Sequence, residues 1–178
     1  MKIAGIIIAK ENSNRFPRKN YHVFNGKPMF LHNVELLRKS DYIKSDSIYV
    51  ATDSENIKKI CKDNGIYVIH RGPNISIDEQ PFFDVLKYAY MTINKQYDII
   101  VSILANTINH ELFSVNESIK KMVENENVHE IRSFDDKGNQ SGIIALRENI
   151  ILEDNKISNQ MAMVKSNGRE IHRLEELQ

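Results

Sequence analysis

The segment AKENSNRFPRKN (residues 9–20) gathers Lys10, Arg15, Arg18 and Lys19 with Ser13, Asn14 and Asn20 directly behind an apolar run. Guanidinium and ammonium groups neutralise a polyphosphate, and hydroxyl and amide groups donate to its oxygens. Pro17 fixes one backbone angle, so the cations are presented together. Phosphate binding is thus one chemistry open to this loop; a solvated basic loop would give the same charge count. Two glycine-dependent solutions are excluded by inspection. GxxxxGK[ST] is absent, and no glycine stands between Ala9 and Asn25, so GxGxxG is absent there too. An anion here would be held mainly by side chains.

The elements that must position this loop can be read from apolar spacing. Residues 3–9 form a continuous apolar run of strand length, as expected of a strand covered on both faces in a parallel sheet. After Pro28, Met29, Phe30, Val34 and Leu37 recur at helical steps. The order then repeats: strands at 47–53, 67–70 and 97–104 alternate with helices at 55–65 and 81–93. A helix at 112–125, late strands at 128–134 and 142–147, and a short terminal helix within 170–178 complete the pattern. Alternating strands and helices predict βαβ units and an α/β fold. Such sheets bind ligands beyond the carboxyl ends of their strands, which directs attention to residues 9–20, 52–55, 70–80 and 104–111.

The chain has 178 residues, enough for one domain spanning 1–178. Twenty-four basic and 24 acidic residues give no net charge, which argues against a nucleic-acid or anionic-membrane binder. Residues 1–40, however, hold eight basic residues against Glu11 and Glu35, a balance of +6, which suggests a local anion site. The opening apolar run is too short for a signal peptide or a membrane span. A lone cysteine, Cys61, cannot form an internal bridge and sits at helical spacing beside Ile57 and Ile60, as core filler would. A cytoplasmic location is expected. Neither HExxH nor GxSxG occurs, so zinc-protease and covalent-hydrolase chemistry is unsupported.

AKENSNRFPRKN followed by NGKPM, VATDSENI, HRG at 70–72, FDVLKYA, and GIIALRENIIL with the closing EIHRLEEL together resemble, in order, the CMP-sugar synthetases. The likeness is strongest to the acylneuraminate cytidylyltransferases. It implies a three-layer αβα sandwich of nucleotidyltransferase type, with a mostly parallel central sheet. It also implies transfer of CMP from CTP to an acidic sugar such as sialic acid, with Mg²⁺ as cofactor and a homodimer as a possible assembly. By the same resemblance Lys10, Arg15 and Lys19 are catalytic, while Ala9, Ser13, Asn20 and Arg71 contact the nucleotide. Asn106 and Thr107 contact the sugar, and Glu170 holds the metal. A salt bridge is an equal account of Arg71, an ordinary polar turn is an account of Asn106 and Thr107, and Asp53 or Ser54 reads as a helix cap.

The chain departs from the family pattern at named positions. Lys10 replaces the usual arginine, Glu11 and Asn12 replace small residues, and Leu104 to His110 replace QPTSPLR. Phe82 stands where a serine is common, and His172 replaces a metal-binding acid. About 30 residues separate His110 from Gly142, so the family's inserted segment is shortened. These departures keep two other readings open: a nucleotide-binding paralogue without turnover serving as a regulatory or assembly subunit, and a nucleotidyltransferase using another base or sugar.

Overall fold

The computed structural model describes residues 1–13, 15–72, 75, 80–153 and 160–177. Asn14 and most of the 70–80 loop therefore lie outside the described residues. In chain order the elements are β1 (Ile3–Ile8), a small ribbon β2 (Val23–Phe24) and β3 (Lys27–Pro28), α1 (Met29–Arg38), β4 (Ile48–Thr52), α2 (Glu55–Asp63) and β5 (Tyr67–His70). There follow α3 (Phe82–Thr92), β6 (Ile99–Ile103), β7 (Thr107–Ile108), α4 (Leu112–Glu124), β8 (Glu130–Phe134), β9 (Gln140–Arg147), α5 (Glu148–Leu152), β10 (Met161–Lys165) and β11 (Arg169–Glu170). A 3₁₀ turn at Leu174–Leu177 ends the described chain.

Seven strands form one sheet in the order β10-β8-β9-β6-β1-β4-β5. β1 pairs in parallel with β4 and β6, as do β4 with β5 and β8 with β10, while β9 runs antiparallel between β6 and β8. Alternation along the strands separates two cores. Ile7, Val50 and Val101 face Phe30, Val34 and Leu37 of α1, Ile57 and Cys61 of α2, and Val115 and Ile119 of α4. Ile6, Tyr49 and Ile100 face Leu86, Ala89 and Tyr90 of α3 and Ile151 of α5. The result is the three-layer αβα sandwich with a mostly parallel sheet. Burial on both faces explains why β1, β4 and β6 read as apolar runs.

Cys61 is buried in the first core, where burial pushes its thiol up to about 12, so it fills space as its spacing indicated. α2 begins at Ser54, whose hydroxyl accepts the Ile57 N–H at 3.2 Å. Such a cap contributes about 1 kcal/mol. Asp53 is not the cap. No helix among the described residues is long and apolar enough to cross a membrane.

Candidate active site

Leaving β1, the backbone N–H of Ala9 still bonds the Ala51 carbonyl of β4 at 3.0 Å, and the chain then turns away into the basic loop. Three ties close that loop. Asn20 donates its amide to the Lys10 carbonyl at 2.8 Å, joining its two ends. The Glu11 N–H donates to the Asp53 carboxylate at 2.8 Å, joining the loop to the turn after β4. Phe16 is buried against Met29, Ile108 and Ile171, which anchors the loop tip to β7 and to the residue after β11. Arg18 takes a left-handed conformation (φ 63°) at the turn into the 3₁₀ segment Lys19–Tyr21. Ser13 is half-buried on the same loop.

With the loop so folded, Lys19 Nζ donates to the Ile171 carbonyl at 3.4 Å and Arg15 Nη2 donates to His172 Nδ1 at 3.2 Å. Lys19 is held below the usual lysine range, first by burial, with the neighbouring charges of Arg15 and Lys10 acting the same way and Glu170 and Glu176 opposing. Lys10, Arg15 and Lys19 therefore share one electrostatic neighbourhood. A half-buried cation crowded by two others is a group that an incoming anion stabilises.

The carboxylate that replaces a small residue is turned aside. Glu11 accepts from the Tyr21 hydroxyl at 2.6 Å and from Ser54 Oγ. Burial acts to raise its carboxyl, but Ser54, Tyr21 and Asn56 as hydrogen-bond donors and the charge of Arg18 outweigh it and hold it below the usual range. Its negative charge is thereby spent on α2 and Tyr21. Tyr21 was not singled out from sequence, where nothing distinguishes it from any other tyrosine after a polar loop.

Arg71 is 4% exposed, donates its N–H to the Thr52 carbonyl across β4 at 3.0 Å, and gives Nη2 to the Ile75 carbonyl at 2.5 Å. Burial lowers its guanidinium below the usual value while Asp53 raises it, so both partners sit at the carboxyl edge of the sheet. Phe82 opens α3 half-buried, edge-on to Phe83 at 5.5 Å, and packs on the second core.

Asn106 and Thr107, which the resemblance assigns to the sugar, are both tied into the chain around β7 and β11. Thr107 is fully buried, and its hydroxyl bonds the Leu104 carbonyl at 2.7 Å and His110 Nε2 at 2.8 Å. Asn106 spends its amide on Glu170 Oε1 at 2.9 Å and the Ile171 carbonyl at 3.0 Å. Both residues help to build the β7–β11 ribbon. A further tie, also missed from sequence, is Asn33 on α1, whose amide donates to the Leu104 and Thr107 carbonyls, each at 3.0 Å. A polar residue on an otherwise apolar helix face was the available signal.

Glu170 stands on β11 with its second oxygen 3.6 Å from His172 Nε2. Beside Arg15 an open cleft of about 560 Å³ is lined by Phe16, Pro17, Arg173, Leu174 and Glu175. The basic loop, the turn after β4 and the β11 segment thus meet at the carboxyl ends of β1, β4 and β6.

The cytidylyltransferase family model matches residues 4–171, nearly the whole chain, including the basic loop, the turn after β4 and Glu170 of β11. The chain belongs to the cytidylyltransferase family. Curated relatives in that family include the N-acylneuraminate cytidylyltransferase of Streptococcus agalactiae serotype V, 38% identical over 87 residues, which are 49% of this chain and 21% of that protein. The N-acylneuraminate cytidylyltransferase of Oncorhynchus mykiss is 30% identical over 118 residues, 66% of this chain and 27% of that one. A 3-deoxy-manno-octulosonate cytidylyltransferase of Psychrobacter cryohalolentis is 41% identical over 64 residues, 36% of this chain and 23% of that one. The matched stretches thus span about a quarter of these relatives' lengths. Among solved structures, the CMP:2-keto-3-deoxy-manno-octonic acid synthetase complexed with CTP superposes with a TM-score of 0.82 at 14% identity, covering 99% of this chain and 95% of that one. That likeness establishes the cytidylyltransferase fold.

Proposed function

We propose that the chain transfers CMP from CTP to the anomeric hydroxyl of an acidic sugar, a sialic acid or an octulosonic acid, with release of pyrophosphate. The observation that carries this reading is the convergence of Lys10, Arg15 and Lys19 at the carboxyl edge of the sheet, with Lys19 held below its usual range first by burial and then by the charges of Arg15 and Lys10. In the reaction the sugar oxygen forms a bond to the α-phosphorus as the bond to pyrophosphate breaks, and negative charge grows on the departing group. Cations fixed by Phe16, Asn20 and the Ile171 carbonyl lower that barrier without having to reorganise. Arg71 is a positioning residue that holds the chain after β5 through the Ile75 carbonyl. In the cleft beside Arg15, Arg173 is a second guanidinium able to take the acceptor's carboxylate.

Mg²⁺ is the cofactor this reading implies. No group of three metal-ligating side chains is assembled among the described residues. Glu170 would supply one oxygen and the triphosphate and water the rest, a mode this ion commonly adopts, in which it neutralises phosphate charge.

The test is pyrophosphate release from CTP, Mg²⁺ and a panel of sialic and octulosonic acids. Release with at least one acid is expected, and none with any acid contradicts the proposal. The turns built by Asn106 and Thr107 favour one second reading, a nucleotide-binding paralogue. It would be marked by thermal stabilisation with CTP and no pyrophosphate.

A further inference from the structure

At the opposite end of β1 from the basic loop, three segments meet around a cavity of about 330 Å³: the start of β1, the turn between α1 and β4, and the turn between α3 and β6. They bring Lys2, Lys44 and Lys95 to one opening, with Tyr42 and Tyr97 as walls. Asp46 is the one acid among the described residues that line it. The walls are fixed. Tyr97 is 4% exposed, its hydroxyl shares a 2.8 Å hydrogen bond with that of Tyr49, and its backbone N–H donates to the Tyr90 hydroxyl at 3.3 Å. Tyr42 is half-buried and packs against the first core. The backbone of Lys2 donates to the Asp98 carboxylate at 2.6 Å and accepts from the Asp98 N–H at 2.8 Å.

The charges at this edge are not matched to one another. Elsewhere Lys27, Lys58, Lys120 and Lys165 each face a carboxylate. Among the described residues, Lys2, Lys44 and Lys95 enter no ion pair. The acids beside them are engaged by neutral donors. Asp46 accepts from the Ser47 hydroxyl at 3.1 Å, Asp98 from the Lys2 N–H, and Glu148 from the Tyr90 hydroxyl and from Gln96 at 3.2 Å. Lys95 stands over the exposed ring of Tyr67, 6.0 Å from its centre.

Three ammonium groups against one carboxylate leave the opening with surplus positive charge. Each lysine is exposed and screened, so a singly charged anion gains little from any one of them. A multivalent anion that bridges lysines from separate segments gains from every contact, and lysine serves phosphate as a point charge. We infer that this cavity at the amino edge of the sheet is a second anion site, which takes a polyphosphate, free or as the tail of a nucleotide. It shares no residue with the basic loop and does not rest on the function proposed above.

The experiment titrates pyrophosphate into Arg15→Ala/Lys19→Ala, with and without Lys2→Gln, Lys44→Gln and Lys95→Gln, and into the natural chain, by calorimetry and by amide NMR shifts. Pyrophosphate is expected to bind the first protein and to move the amides of residues 42–47 and 95–97. Replacing the three lysines should weaken that binding about tenfold or more, the scale of one charge-assisted bond, and added salt should weaken it too. CMP bound there more tightly than inorganic phosphate would support a nucleotide as the source, and equal binding a free phosphate. No shift at those amides in the natural chain, or an affinity unchanged within twofold by the lysine substitutions, overturns the inference. Pyrophosphate bound at the amino edge alone, with no response from the basic loop, supports this site and counts against the proposed function.

Discussion

His110 is a titratable side chain built into the structure as a neutral ring. Its Nδ1 meets Ser166 Oγ at 2.9 Å and its Nε2 meets Thr107 Oγ1 at 2.8 Å, and burial lowers it from 6.5 to about 4 against the weaker pull of Glu111. Between those values the unfolded chain binds a proton that the folded chain does not. Stability is therefore lost as pH falls from about 6.5 through about 4, by on the order of 2–3 kcal/mol. Urea melts at pH 7 and pH 4.5 should show that loss in the natural chain and a clearly smaller one in His110→Gln; equal losses would refute the assignment. Lys19 is the functional counterpart. Lys19→Ala removes a crowded cation held by one 3.4 Å bond, so it should leave the melting temperature nearly unchanged. Nucleotide affinity should fall about tenfold or more, the scale of one charge-assisted bond. A large drop in melting temperature would instead make Lys19 a structural residue.

The β7–β11 ribbon decides where the C-terminal segment meets the loop, and a glycine lets it close. A Cβ on Gly168 would lie 2.0 Å from His110 Cε1 and 2.6 Å from the Ser141 carbonyl oxygen, one of them backbone that cannot swing away. Gly168→Ala should therefore cost about 1–3 kcal/mol or more by overpacking. Calorimetry showing an unchanged melting temperature would contradict this packing. Elements of this kind explain what sequence could and could not reveal. β1, β4 and β6 and the helices α1 to α4 were legible because two-faced burial and helical spacing leave long, regular signals. β7, β11 and the β2–β3 ribbon have two residues per strand, too few to carry a period. β10 was missed because, as an edge strand, it leaves Met161 and Met163 exposed and buries Val164 alone among the hydrophobic residues named in its span. Charge density made the basic loop legible. The contacts of Arg15 with His172 and Lys19 with Ile171 join residues more than 150 positions apart, and no local pattern encodes them.

At the scale of the molecule, the topology explains why a neutral chain carries its basic excess at one end. β1 lies inside the sheet between β4 and β6, so the loop leaving it opens at the carboxyl edge, where β11 returns the C-terminal segment to face it. Four of the eight basic residues of the stretch 1–40, Lys10, Arg15, Arg18 and Lys19, are thus placed at the edge where α/β sheets take ligands. Glu170 and Glu176 counter their charge only in part. The most direct test of this account is a crystal structure of the chain with CTP and Mg²⁺. Phosphate oxygens within hydrogen-bonding distance of Lys10, Arg15 or Lys19 are the predicted result. A nucleotide bound at another edge of the sheet, with all three cations left in solvent, would contradict it.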